Sequence, residues 1–507
     1  MASDKLKQST RNVVVNVGAK MIMMLLPFAI RSAMIYTLGN LYLGLDSLFS
    51  SVLNMLSLSE LGFSSAIVYA MYKPVAQHDD RKVRALLTFY KRIYRIVGSV
   101  ILVIGLALLP NIHMFIAEGT AYPQDINIYV VYLVLLVNTA LSYFLFAYKN
   151  AILVATMRND LDALLDLLRS LLSHGLQIVV LLMLRSYYLY ILVLPVITIV
   201  NNLTRSFVIN KRFPQYIGKE TLEKAEQKDI MTRVGALIGN KIGGVVFTSV
   251  DSMVISAYLG LEILGKYGNY YTIFTAVYAV FSTAYTAIQS TVGNSLVSKS
   301  REENYSLFRK LFAGNGVITC LSTCCFLFLY QPFMRLWVGE ANLLGYEIPA
   351  LLALYYFVKS TRRICFLFKE AAGMWRETWL MPYISVAVNL VANILMVKWI
   401  GLPGVLLSSI FALVVVEIPW ETNVFFKKYF EKSPVAYFGK TIIAMLQTGI
   451  AACCVGLVSH YIDPLIANDL LRLIIRLLMC LVVSIIIYLP MLNSLIKTII
   501  TRRRKLL

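Results

Sequence analysis

The stretch Leu38–Tyr69 reads LGNLYLGLDSLFSSVLNMLSLSELGFSSAIVY and is long and apolar enough to cross a bilayer as a helix, which takes about 20 residues. Five polar residues recur in it at helical spacing, and at about 100° per residue they share a sector roughly 80° wide. They are Asp46, Ser50, Ser57, Glu60 and Ser64. The sequence therefore predicts a membrane helix with one polar face, which is expected to meet other helices or a hydrated cavity rather than lipid.

The composition of the whole chain also indicates a membrane protein. Of its 507 residues, 59% are hydrophobic and only 15% are charged, and the mean hydropathy is +0.71. A soluble domain carries about 25% charged residues, so this composition excludes a soluble globular protein, and it excludes a disordered chain as well. We assign the net charge of +20 to membrane orientation and to contact with anionic lipids, and expect no nucleic-acid partner.

Hydropathy predicts an all-α polytopic membrane protein with about 14 transmembrane helices. The predicted spans are 13–37, 41–71, 93–117, 127–148, 163–184, 187–210, 232–258, 267–292, 310–330, 348–369, 377–400, 403–426, 440–460 and 470–492. Basic residues concentrate in every second connection, and the other connections hold only Arg185, Lys266, Arg335 and Lys398. The positive-inside rule then predicts a multi-pass protein with both termini in the cytoplasm.

The two halves of the chain carry an internal repeat at a displacement of 221 residues. The matches are Gly18 with Gly239, Lys20 with Lys241, Leu38-Gly39 with Leu259-Gly260, and Leu43-Gly44 with Leu264-Gly265. Six spans in each half predict a parallel repeat, as in many transporters. We therefore expect an N-terminal six-helix lobe in 1–210, a cytoplasmic linker in 211–231 containing an amphipathic helix, a C-terminal six-helix lobe in 232–430, and an additional helix pair with a basic tail in 431–507.

The stretch Leu38–Tyr69, with its Leu-Gly…Tyr-Leu-Gly-Leu and Leu-Gly-Phe-Ser-Ser-Ala pieces, resembles the opening of the polysaccharide-transport family. This is the family of Wzx-type O-antigen and repeat-unit flippases, within the multidrug/oligosaccharidyl-lipid/polysaccharide exporter (MOP) superfamily. The resemblance implies a protein of the bacterial cytoplasmic (inner) membrane that moves undecaprenyl-diphosphate-linked oligosaccharides to the outer leaflet by alternating access. It also implies a polysaccharide polymerase and glycosyltransferases as partners.

Polar residues within the spans are the candidates for a substrate site. The cations Lys20, Arg31 and Lys241 would attract a diphosphate in a cleft of low dielectric constant. Tyrosine rings suit the faces of sugars, and their hydroxyls can bond sugar oxygens. The candidates of this kind on the eighth span are Tyr271, Tyr278, Tyr285 and Gln289. The candidates for coupling to protons or sodium ions are the acids Asp46, Glu60 and Asp251.

Each of these candidates has a structural alternative. The cations could pair internally, Lys20 or Arg31 with Glu60 and Lys241 with Asp251, and the tyrosines could pack within the bundle. Three further cations on the tenth span either face the cavity or belong to its cytoplasmic end, and the second position is favoured. These are Lys359, Arg362 and Arg363.

The residues leave three classes of function open. A lipid-linked oligosaccharide flippase is favoured, and the alternatives are an ion-coupled drug or cation antiporter of the same superfamily, or a membrane-embedded polysaccharide polymerase or acyltransferase. The sequence contains no H-E-x-x-H motif, no Cys/His cluster and no phosphate-binding loop with the full pattern G-x-x-x-x-G-K-[ST]. We therefore expect no catalytic residue, no metal and no cofactor.

Overall fold

The computed structural model describes residues 2–57 and 63–504, and these form helices without a strand. The helices are α1 Ala2–Thr37, α2 Asn40–Leu56, α3 Phe63–Ala76, α4 Asp80–Leu108, α5 Ile128–Phe144, α6 Asn150–Ala155, α7 Asn159–Leu184, α8 Tyr187–Arg212, α9 Lys224–Leu259, α10 Leu261–Ser298, α11 Arg301–Val338, α12 Glu347–Ala371, α13 Met381–Ile400, α14 Leu402–Ala412, α15 Ile418–Phe425, α16 Val435–Ile462 and α17 Asp469–Arg504. The predicted all-α class is confirmed.

Among the described residues, 10 helical segments are long and apolar enough to cross a membrane, or 11 if a bent pair counts as one span. That pair is Ile128–Phe144 with Ala147–Ala155, bent by 47°. The protein is therefore a multi-pass membrane protein, and the count of 14 stays a prediction. The described parts of the predicted span 41–71 are α2, which carries Asp46 and Ser50, and α3, which carries Ser64.

Two glycines at the repeat displacement make the same turn. Gly39 stands between α1 and α2 with φ +96°, and Gly260 stands between α9 and α10 with φ +88°. Residues with a Cβ rarely adopt this left-handed region, whereas glycine enters it without steric cost. The two copies of the sequence repeat thus have similar backbone conformations at these two helix junctions.

The next glycine of each repeat packs against the other hairpin. A Cβ on Gly44 would lie 1.9 Å from the carbonyl oxygen of Leu261, and a Cβ on Gly265 would lie 2.3 Å from that of Asn40. Since both obstacles are backbone atoms, neither can move aside cheaply. The beginnings of α2 and α10 therefore cross at a distance that requires glycine on both helices.

The chain forms two compact units, 1–269 and 270–507. In the first, α1 packs along α7, α5 packs against α4 and α8, and α2 packs against α9. In the second, α11 packs against α12, α16 and α17, and α13 packs against α14. The predicted lobes were defined from the sequence repeat and the number of spans, whereas these units are defined by packing. The predicted domain boundaries therefore stay a prediction.

The connection 211–231 differs from the expected amphipathic helix. It contains the end of α8, a single 3₁₀ turn at Pro214–Tyr216, non-helical residues, and the first turns of α9. Arg84 of α4 holds it in place, with Nε 2.5 Å from Glu220 Oε1 and Nη1 donating to the carbonyl of Gln215 at 2.9 Å. A backbone hydrogen bond and Arg84 lower the pKa of Glu220, so this carboxylate is charged at neutral pH. Side-chain bonds to α4 thus position this connection.

Candidate functional site

Arg31 occupies a polar site within the first unit. Its Nε donates to Asn269 Oδ1 at 2.8 Å, and its Nη2 lies 3.4 Å from the carbonyl oxygen of Gly265. A Cβ on Gly268 would lie 2.2 Å from Nη2, so the missing side chain at that position makes room for the guanidinium. The beginning of α10 therefore positions Arg31 through one amide, one carbonyl and one glycine.

Asp46 and Tyr190 complete this site, which we call the Arg31 site. Both act electrostatically on the guanidinium, but no carboxylate among the described residues lies within 4.0 Å of it. Asn269 is fully buried. Arg31 thus keeps a positive charge that is hydrogen-bonded by neutral groups, which is a suitable arrangement for an anion.

The other predicted residues of the first unit are placed as follows. Lys20 is exposed and Asp251 is buried. Glu60 lies outside the described residues, and the backbone of Lys241 is helical while its side chain is not described. The structure therefore brings Arg31 and Asp46 together, and the predicted pairings of Lys20 or Arg31 with Glu60 and of Lys241 with Asp251 stay untested.

Hydroxyl groups on the predicted polar faces bond to their own helices. Ser57 donates to the carbonyl of Leu53 at 3.0 Å, and Ser252 donates to that of Thr248 at 3.1 Å. Ser50 and Ser64 are exposed, on α2 and α3 respectively. Bonding back to the helix is the ordinary role of such residues in membranes, so these serines are weak candidates for ligand binding.

The tyrosines of α10 divide into two groups in the second unit. Tyr271 and Tyr278 are partly exposed and stack with Phe274, at ring-centroid distances of 5.5 and 6.5 Å. Tyr285 is 4% exposed, belongs to an aromatic core with Phe308 and other rings, and donates its hydroxyl hydrogen to Asn315. The structure thus leaves Tyr271 and Tyr278 accessible, whereas Tyr285 packs in the core.

Two cations of α12 lie over these rings. Lys359 Nζ is 4.6 Å from the centroid of Tyr278, and the Arg363 guanidinium is 5.6 Å from that of Tyr285. One helical turn separates the cations within α12, and their contacts with the α10 rings agree with the first of the two predicted positions, in which they face other helices. We call Tyr278, Tyr285, Lys359 and Arg363 the cation–aromatic row.

The row continues to a polar pair at one end. Gln289 Nε2 approaches Glu370 Oε2 at 3.5 Å. No carboxylate of the described residues lies within ion-pair distance of Arg363, whose Nε is buried without an acceptor. A buried donor of a charged group without a partner is costly, so this guanidinium is a candidate for binding an anion.

A neighbouring cluster of four charges is internally balanced. Arg362 binds both oxygens of Glu421, with Nε and Nη2 at 2.7 and 2.8 Å, and also pairs with Glu417. Lys369 Nζ donates to Glu421 Oε1 at 2.8 Å, and Ser385 Oγ donates to Glu417 at 2.8 Å. Two cations and two anions leave no net charge, so this cluster joins α12 to the α14–α15 segment rather than binding substrate.

Sequence reasoning missed this cluster, although a signal was present. Glu417 and Glu421 stand four residues apart in one apolar span, and Arg362 and Lys369 stand seven apart in another. Opposite charges at helical spacing in two apolar spans are expected to pair. The sequence could have suggested this pairing, but not that Lys359 and Arg363 would face the rings of α10.

Comparison with known proteins shows similarity of fold. No family model matches the chain, and no curated protein matches its sequence.

Among solved structures, the lipid II flippase MurJ in an inward closed conformation aligns with a TM-score of 0.70, covering 95% of this chain and 100% of that chain at 15% identity. An inward-facing multidrug resistance MATE family transporter of the MOP superfamily gives a TM-score of 0.60, covering 80% and 96% at 14% identity. A MOP superfamily transporter from Pyrococcus furiosus gives 0.51, covering 84% and 97% at 14% identity. The chain therefore has the fold shared by MurJ and the MATE transporters.

Proposed function

We propose that this protein is a flippase that moves undecaprenyl-diphosphate-linked oligosaccharides across the cytoplasmic membrane by alternating access. The cation–aromatic row is the observation that carries the proposal. Its cations suit a diphosphate, and the partly exposed rings of Tyr278 in the row and of Tyr271, which stacks with the same Phe274, suit the faces of sugars. A single surface thus offers both chemistries that such a substrate combines.

The charge of the row separates this function from drug or cation export. A cationic drug would require carboxylates, whereas the row has two cations and one carboxylate, Glu370 at its end, and none of the described carboxylates is at ion-pair distance from Arg363. The acids Glu417 and Glu421 are already occupied by Arg362 and Lys369. In the first unit the hydrogen-bond acceptors of Arg31 are neutral, while Asp46 acts on it from beyond ion-pair distance.

The likeness to MurJ supports the proposal over nearly the whole chain. That protein is a lipid II flippase, and the alignment covers 95% of the present chain. The alternative of a polymerase or acyltransferase has no comparable support from the three solved structures named above, which are two transporters and a flippase.

Complementation of cells that lack this gene, with surface polysaccharide as the readout, tests the proposal. We expect the wild-type gene to restore the polysaccharide, and Arg363→Gln or Lys359→Gln to restore less than about a tenth of it, since each removes a charge-assisted contact worth about 1.5–3 kcal/mol. Arg376→Gln is the matched control, because Arg376 is exposed. Normal polysaccharide with Arg363→Gln at wild-type abundance would remove the role of the row.

A further inference from the structure

A separate cavity of about 360 Å³ lies within the first unit. Its apolar wall is formed by Leu87, Ile152 and Ile209. The turn after α5 and the connection 213–219 after α8 form the other sides, and these contribute aromatic rings and polar groups. None of these residues belongs to the Arg31 site. The volume is within the range of about 300–1,000 Å³ that is typical of ligand pockets.

The charge of the cavity is entirely basic. Lys91, Lys149 and Lys219 line it, and none of the described lining residues is acidic. Lys149 Nζ donates to Ser206 Oγ at 2.7 Å and to Asn210 Oδ1 at 2.8 Å, and both acceptors are neutral. An ammonium group has three donors, so one remains for a ligand and the charge is not balanced.

Aromatic rings lie beside two of the three ammonium groups, those of Lys91 and Lys149. Lys149 Nζ is 4.9 Å from the centroid of Phe146, and Lys91 Nζ is 5.9 Å from that of Tyr148. Phe213 and Tyr216 stack at 6.0 Å on the side of the connection. The cavity thus combines a cationic end with an aromatic and aliphatic wall, as the headgroup region of an amphiphile requires.

We propose that this cavity binds a phosphate ester that is attached to an apolar or glycerol moiety, with Lys91 and Lys149 contacting the phosphate oxygens. Basic pockets between membrane helices on the cytoplasmic side are typical sites for anionic lipid headgroups, and the basic-residue pattern predicts that side for this end of α4 and α8. The same phosphate chemistry occurs in anionic phospholipids and in soluble phosphate esters. This inference does not depend on the proposed substrate.

Thermal unfolding of the purified full-length protein in detergent tests the proposal. The probes are dioctanoyl-phosphatidylglycerol, the zwitterionic dioctanoyl-phosphatidylcholine, and glycerol 3-phosphate as the soluble ester. We expect phosphatidylglycerol to raise Tm more than phosphatidylcholine does. Lys91→Gln should increase the half-saturating concentration about fivefold, since a lysine near an anionic lipid contributes about 1 kcal/mol. Lys149→Gln should act in the same direction.

Lys211→Gln is the matched control, because Lys211 is an exposed cation beside Asn210 that does not line the cavity. Lys91→Gln removes no hydrogen bond of the described structure, so it remains informative if Lys149→Gln does not fold. A shift with glycerol 3-phosphate that Lys91→Gln weakens would support the site and assign it to a soluble ester. Equal shifts with both phospholipids, or equal weakening by Lys211→Gln and Lys91→Gln, would overturn the proposal.

Discussion

Glu421 lies fully buried between Arg362 and Lys369, and its environment shows how charges are tolerated inside this protein. An isolated charge in a medium of low dielectric constant is strongly unfavourable, whereas a hydrogen-bonded and neutralised group can be retained. The four-charge cluster meets this requirement, and Arg363 one position away does not. This contrast distinguishes a structural charge from a candidate ligand at the level of single residues.

We expect Glu421→Gln to destabilise the protein by about 3–5 kcal/mol, because the cluster would keep a net positive charge without a partner. Denaturant titration in mixed micelles measures this free energy of unfolding. Glu340→Gln is the control, since Glu340 forms an exposed ion pair with Arg335, and such pairs contribute about 0–1 kcal/mol. Lys369→Met combined with Glu421→Gln should recover part of the loss, and an equal loss in the two Glu→Gln variants would contradict this account.

Substitutions of Tyr278 test the aromatic part of the proposed site. Tyr278→Phe keeps a ring face for sugar and for Lys359, so we expect it to keep most transport activity, whereas Tyr278→Ala should lose about tenfold or more. Surface polysaccharide at matched protein abundance is the measurement. Tyr285→Ala is the comparison, because it should reduce the amount of folded protein through loss of core packing. If Tyr278→Ala reduced abundance in the same way, Tyr278 would be a packing residue.

The helix hairpins α1–α2 and α9–α10 show what sequence reasoning can reach at the level of elements. The repeated Leu-Gly pairs were visible in the sequence, and Gly39 and Gly260 adopt the same left-handed turn. The reciprocal packing of Gly44 and Gly265 was not visible, because it depends on two segments far apart in the chain. The 47° bend between Ile128–Phe144 and Ala147–Ala155 was also hard to predict, since a hydropathy window does not report a change of helix direction.

Gly44→Ala tests the close crossing of α2 and α10. The added Cβ would meet a backbone carbonyl, so we expect marked loss of folded, monodisperse protein in size-exclusion chromatography, consistent with overpacking costs of about 1–3 kcal/mol or more. Gly175→Ala is the matched control, because a Cβ there meets no atom within 4 Å. Equal yields of the two variants would show that the crossing is looser than described.

At the scale of the whole molecule, composition and hydropathy were sufficient to predict a polytopic all-α protein. They were not sufficient to locate its site. Hydropathy identified the span 348–369 but carries no information on what a side chain faces, so it could not show that Lys359 and Arg363 lie over the rings of Tyr278 and Tyr285. The orientation in the membrane rests on the basic connections and stays a prediction.

Single cysteines in a cysteine-free background test that orientation. We expect an impermeant maleimide to label a cysteine at Glu118 from outside the cell and one at Lys219 only after the cytoplasmic side is opened, since the positive-inside rule places these two positions on opposite sides. Both native side chains are exposed, so access is not limited by burial. Labelling of both positions from the same side would contradict the predicted topology.

Translocation by the purified protein in liposomes tests the central claim most directly. A fluorescent label is placed on the sugar of an undecaprenyl-diphosphate-linked oligosaccharide. An impermeant quencher reaches the label only in the outer leaflet, so the loss of fluorescence reports movement between the leaflets. The account predicts that the wild-type protein and Arg376→Gln move this lipid, and that Arg363→Gln does so at least about tenfold more slowly. Movement no faster than in protein-free liposomes, or equal rates for Arg363→Gln and the wild type, would contradict it.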